Sequence, residues 1–138
     1  MIAIVLKVLL AYALGLPTGW ERFKHDRSAG IRTFPLVSLG SCAYMLAASQ
    51  LPIDPASQSR ILVGVMTGIG FIGGGSILKE GASIHGTATA ASLWNMGAIG
   101  ACVALQNFPL ELVLCVFNYV TLLLLTPFEV TIKRDSSE

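Results

Sequence analysis

Between Arg60 and Lys79 the sequence carries no charge, and the part of that run from Gly64 to Gly75, GVMTGIGFIGGG, holds six glycines in twelve residues. In water a glycine inside a helix costs about 1 kcal/mol relative to alanine, so such a segment would not stay helical. In a bilayer the backbone has no water to bond and must satisfy its own hydrogen bonds, so the helix persists and glycine serves close packing. The run predicts a helix surrounded by lipid.

The rest of the chain agrees. With 54% hydrophobic and 12% charged residues and a mean hydropathy of +0.71, 138 residues carry more apolar surface than one small water-soluble core could hide. The apolar residues also fall in long runs, not in strand-like or amphipathic alternation. Five spans are predicted, at Ile2 to Gly19, Phe34 to Gln50, Ile61 to Leu78, Thr87 to Leu105 and Leu110 to Phe128. Each is long enough to cross, since about 17 to 25 residues suffice. Lys7 interrupts the first run and no small-residue cleavage site precedes Trp20, so this span is read as retained, not as a signal peptide.

Seven of the nine Lys and Arg residues fall after odd-numbered spans: Arg22, Lys24, Arg27, Arg32, Lys79, Lys133 and Arg134. The positive-inside rule then places the N-terminus outside and the C-terminus in the cytoplasm. The fold expected is an all-α integral membrane protein, a bundle of five transmembrane helices forming one domain over residues 1–130, with a short polar tail over 131–138. A net charge of +1 distributed in this way gives no sign of nucleic acid. Pro17 lies inside the first span near Gly15 and Gly19 and predicts a kink or an early end. Asn107 and Glu111 flank Pro109 as a helix start that favours negative charge.

Two readings of the glycines are separable. Gly68 to Gly73 matches the dinucleotide pattern G-x-G-x-x-G, but no strand precedes it, and Leu93 and Trp94 stand where the acid should be. Helix packing accounts for it better. Gly64, Gly68 and Gly75 share one stripe, and Gly70 and Gly74 share another, so two neighbouring helices could approach. Ala90, Ala91, Gly97, Ala98 and Ala101 offer a matching set on span four, and mid-span Trp94 either packs against the third helix or lines a cavity. Gly73 to Gly75 could also break the helix and present carbonyls to an ion. On the packing reading, Gly68→Leu should cost more than Gly15→Leu.

Four blocks in order, Gly19-Trp-Glu-Arg22, Ser28-Ala-Gly-Ile-Arg-Thr33, Gly68-Ile-Gly-Phe-Ile-Gly-Gly-Gly-Ser-Ile-Leu-Lys-Glu-Gly81 and Gly86-Thr-Ala-Thr-Ala-Ala-Ser-Leu-Trp94, resemble the membrane domain of the MgtC/SapB family. The resemblance covers nearly the whole chain. It implies a multi-pass protein of the bacterial inner membrane, tied to growth at low magnesium and, in pathogens, to survival inside host cells. It further implies either a regulator of membrane ATPases or a magnesium transporter. Larger members continue into a cytoplasmic regulatory domain, whereas this sequence ends at Glu138, so a short member is implied. Where the family commonly reads Gly-x-Asn-Thr-Ala-Ala, this chain has Gly86-Thr87-Ala88-Thr89-Ala90-Ala91 and no asparagine.

Glu21, Arg22, Arg32, Lys79 and Glu80 all fall at predicted cytoplasmic ends. One reading is topology and mutual ion pairing. The other is a cation mouth in which Glu21, Asp26 and Glu80 supply oxygens to a divalent ion such as Mg2+, held in place by Arg22 and Arg32. Lys7 is expected to snorkel to the outer surface. His25 and His85 lack cysteine neighbours and make a poor zinc site. Cys42, Cys102 and Cys115, odd in number and without a C-x-x-C pair, read as small buried hydrophobes. No nucleophile elbow supports Ser28, Ser76 or His85, so no enzyme is expected. The functions in view are an accessory protein working by helix contacts within a larger transport or ATPase complex, a divalent-cation carrier, or a purely structural bundle. Five short helices with no buried acid offer a poor pathway alone, so a carrier implies a homo-oligomer.

Overall fold

The computed structural model describes residues 1–25, 28–81 and 83–135, with 80, 83 and 126–135 as backbone only. It has five helices, α1 (Ile2–Lys24), α2 (Thr33–Ser49), α3 (Pro55–Gly75), α4 (Thr87–Ala104) and α5 (Phe108–Asp135), with a two-stranded hairpin, β1 (Leu78–Glu80) and β2 (Ser83–His85), between α3 and α4. Two stretches, Ile2–Lys24 and Phe108–Leu125, are long and apolar enough to cross a bilayer. The outer surface is greasy throughout: Phe71 is 85% and Phe117 69% exposed, which suits hydrocarbon and not water.

Several boundaries differ from the sequence reading, each for a local reason. Helix α1 does not end at Pro17 but continues to Lys24. Pro17 lies on the exposed face, while the opposite face of the same turn is held by Gly15, Thr18 and Gly19, buried against α2 and the segment before it. Packing there outweighs the one hydrogen bond that proline removes. Helix α3 begins at Pro55 because Asp54 caps it, its carboxylate accepting from the Ser57 amide at 3.1 Å and from the Ser57 hydroxyl at 2.6 Å. The Ser57 hydroxyl, and after it the backbone N–H, hold the Asp54 carboxyl below the usual range. The glycine triplet is helical, since α3 ends only after Gly75. Leu78, expected at the end of span three, instead pairs with His85, with Lys79 opposite Ile84 and Glu80 opposite Ser83. Gly81 at φ +61° opens that turn. Residues 131–135, expected as tail, continue α5, and 136–138 lie outside the described residues.

The core is built around α4, which packs against all four other helices. Its buried residues, from Thr89 to Ala104, reach around most of its circumference. Near its C-terminal end, Ala101, Val103 and Ala104 meet Ala11 of α1 and Cys42, Met45 and Leu46 of α2. Near its N-terminal end, Leu93, Met96 and Ile99 meet Phe34 and Val37 of α2 and Ile69 of α3. These contacts require close approach. A Cβ on Gly100 would overlap the Ser38 carbonyl, and one on Gly97 would overlap the Ile69 side chain.

The α3 glycines chosen from sequence lie elsewhere. Among the described residues nothing stands within 4 Å of a Cβ built on Gly64, Gly68, Gly70, Gly74 or Gly75. Only Ile69 and Gly73 of α3 are buried, and a Cβ on Gly73 would stand 3.2 Å from the Ala90 carbonyl oxygen. Sequence spacing identifies a smooth face but not whether another helix of the same chain covers it. Within the chain, close packing falls to Gly15, Gly73, Gly97 and Gly100. Trp94, half exposed, stays outside both core clusters.

Candidate functional site

Polar groups collect along the inner faces of α1, α4 and α5. On α1 the buried face runs through Ala11, Gly15, Thr18 and Arg22, at helical spacing. On α5 it runs through Glu111, Asn118 and Leu122. Midway, Ser92 of α4 donates to Asn118 Oδ1 at 2.9 Å, and Asn118 Nδ2 donates to Thr18 Oγ1 at 3.3 Å, so one asparagine ties three helices together. A hydrogen bond between helices in lipid contributes about 0.6 kcal/mol on average, with about 1.7 at most. Asn118→Leu is therefore expected to lower resistance to unfolding in detergent by about 1 to 2 kcal/mol, readable from the midpoint of a denaturing-detergent titration, with secondary structure intact.

At the end where α1 terminates, Glu21 and Arg22 are 3% and 2% exposed. Adjacent helical residues normally point about 100° apart and do not pair. Here both turn inward, and the guanidinium clasps the carboxylate twice, Nε to Oε2 at 2.5 Å and Nη2 to Oε1 at 3.1 Å. His25 Nδ1 lies 3.2 Å from Glu21 Oε1 and 3.0 Å from the Glu21 carbonyl. The Ser28 hydroxyl donates to the Ser76 carbonyl at 3.1 Å, fastening the segment after α1 to the end of α3. Lys24 Nζ sits 5.6 Å over the Trp20 ring. Arg32 and Lys79 are exposed. Glu80 belongs to β1 by its backbone alone, and Asp26 lies outside the described residues. Among the described residues no three His, Cys, Asp or Glu side chains come together as a metal site.

The opposite end holds what the sequence reading missed. Lys7, expected to reach outward, is half-buried and donates to the Ala104 carbonyl at 3.1 Å. A cation at the last carbonyls of α4 satisfies an orphan acceptor and complements the helix dipole. Glu111, read as a helix-start charge, is 3% exposed, and its Oε2 and the Ser38 hydroxyl have no partner among the described residues. The expectation of a bundle without buried acid is thus corrected at both ends, by Glu21 and by Glu111. The available signal was one acid, Glu111, and one asparagine, Asn118, seven residues apart in the apolar run from Phe108 to Leu125.

The sequence model of the MgtC family matches residues 8–131, most of the chain. This protein belongs to the MgtC family. Protein MgtC of Salmonella typhimurium is 39% identical over 108 residues, which are 78% of this chain and 46% of that one. An uncharacterized protein of Synechocystis is 41% identical over 96 residues, 70% of this chain and 41% of that one. Protein MgtC of Brucella abortus is 40% identical over 90 residues, 65% and 37% of the two chains. The chain therefore spans less than half the length of these MgtC relatives. No solved structure matches it. Family and greasy exterior agree that this MgtC member is a membrane protein of five helices.

Proposed function

We propose that this chain is a non-enzymatic, multi-pass protein of the bacterial inner membrane, acting as a regulatory or accessory factor in magnesium homeostasis or of a membrane ATPase. The observation that carries this reading is the contrast between α4 and α3. One is enclosed by its own chain, whereas the other, with only Ile69 and Gly73 buried, offers the exposed stripe of Gly70 and Gly74 to a neighbour in the bilayer. That neighbour is a second copy or a helix of a larger transport or ATPase complex. The closed Glu21–Arg22 pair fits an ion-paired structural element better than an open ligand for Mg2+.

Two contacts support the orientation in this reading. The Ser28–Ser76 bond gathers the ends of α1 and α3 at one side, with Arg22, Lys24, Arg32 and Lys79 nearby in sequence, and the Lys7–Ala104 bond gathers the start of α1 and the end of α4 at the other. The basic side is cytoplasmic by the positive-inside rule, with the N-terminus outside.

A second reading, a divalent-cation carrier acting as an oligomer, draws on Glu111, since a buried acid within the membrane marks an ion path by default. Purified protein in sealed liposomes separates the two. On the accessory reading, magnesium entry stays at the level of empty liposomes. Entry above that level, abolished by Glu111→Gln or Glu80→Gln, would establish the carrier.

A further inference from the structure

Helices α2 and α3 enclose a trough of about 770 Å³ whose walls are almost wholly apolar. Gly40 of α2 and Gly64 and Gly68 of α3 line it, and a Cβ on any of them would meet nothing within 4 Å. The missing side chains therefore leave width that no group among the described residues fills. At one end stands Arg32, exposed, with no hydrogen bond or ion pair among the described residues. At the other end stands Tyr44.

We propose that this trough holds one acyl chain of an anionic phospholipid whose phosphate is bound by Arg32. Three features support a lipid. From Thr33 to Tyr44 the helix rises about 17 Å, close to the roughly 15 Å depth of one leaflet in a bilayer with a hydrocarbon core of about 30 Å. A chain entering at the headgroup level beside Arg32 thus ends near the midplane. The single guanidinium lies at the mouth and not along the wall, as a headgroup with an apolar tail requires. Arginine also matches phosphate through a planar fork of donors. A helix from a second copy would fill the same trough but leave Arg32 to be answered by a separate anion, whereas a phospholipid supplies apolar tail and anion together.

The proposal rests on the membrane setting but not on the accessory reading. The test uses the whole chain in mixed micelles of phosphatidylglycerol and phosphatidylcholine with identical acyl chains, and bound lipid is counted by native mass spectrometry. The wild-type chain is expected to retain phosphatidylglycerol about five-fold over phosphatidylcholine, the factor given by one basic residue near an anionic headgroup. Arg32→Gln should bring the two lipids level. Gly64→Leu and Gly68→Leu should expel both, with the thermal melt unchanged because open space receives the new side chain. Equal retention of the two lipids by the wild-type chain would overturn the proposal. So would an Arg32→Gln preference equal to wild type, or efficient disulfide formation between two copies carrying Gly64→Cys in anionic bilayers. Magnesium flux bears on none of these results, so failure here stays distinct from failure of the accessory reading.

Discussion

Gly15→Leu is expected to abolish the folded bundle, whereas Gly68→Leu leaves its stability unchanged. A Cβ on Gly15 would stand 2.6 Å from the Pro35 Cα, 2.7 Å from the Pro35 nitrogen and 2.9 Å from the Phe34 carbonyl carbon. All three are main-chain atoms, so no rotamer change relieves the clash, and α1 must move away from α2. Inserting methylenes into a packed core costs about 1 to 3 kcal/mol when side chains can adjust, and a rigid backbone obstacle places this substitution beyond that range. The displacement also disturbs Phe34, which is fully buried beside Leu93 and Met96. On α3, by contrast, the Gly68 position opens on the trough. Size-exclusion profiles and thermal melts of both variants in the same detergent decide the matter. Equal tolerance, or greater damage from Gly68→Leu, would mean that α3 and not α2 is the close neighbour of its bundle.

The second large effect is expected at Glu21. Removing one partner of a buried ion pair costs about 3 to 5 kcal/mol, because the remaining charge loses its compensation. Glu21→Ala withdraws the carboxylate from a guanidinium that is 2% exposed, and stability should fall by about that amount. Replacing both residues together, as Glu21→Leu with Arg22→Met, should recover most of the loss, since an apolar pair of similar volume is often as stable. Denaturing-detergent titrations of the single and double variants form the cycle. If Glu21→Ala matched the wild-type midpoint, the pair would contribute nothing to the fold.

The sequence revealed much of the frame and less of its interior. Helices α2 and α4 lie within a residue of the expected spans, because a long apolar run bounded by polar residues is a strong signal. The hairpin at 78–85 escaped notice because three-residue strands have no measurable period, and Leu78 looked like the last apolar residue of a helix. Which glycines pack within the chain was not legible for a different reason. Spacing of four residues marks Gly64 and Gly68 as readily as Gly97, and only the position of a neighbouring helix separates a filled face from an open one. Glu111 does lie in the first turn of α5, as expected, but its burial was not legible, because an acid there is favourable whether it faces out or in. Which way it points depends on α5 meeting α1 and α4, and that is a tertiary fact.

The order of synthesis gives the position of α4 a further meaning. The chain is made from its N-terminus, so α1 to α3 enter the bilayer before the helix that touches all of them exists. Until residues 87–104 emerge, the α2 surface around Ser38 has no partner from α4, and α3 is tethered at the Ser76 end without its main support. Closure of the molecule is accordingly a late event, and a ribosome halted before Ala104 leaves a paired α1 and α2 with α3 held only by α2 and its Ser76 end.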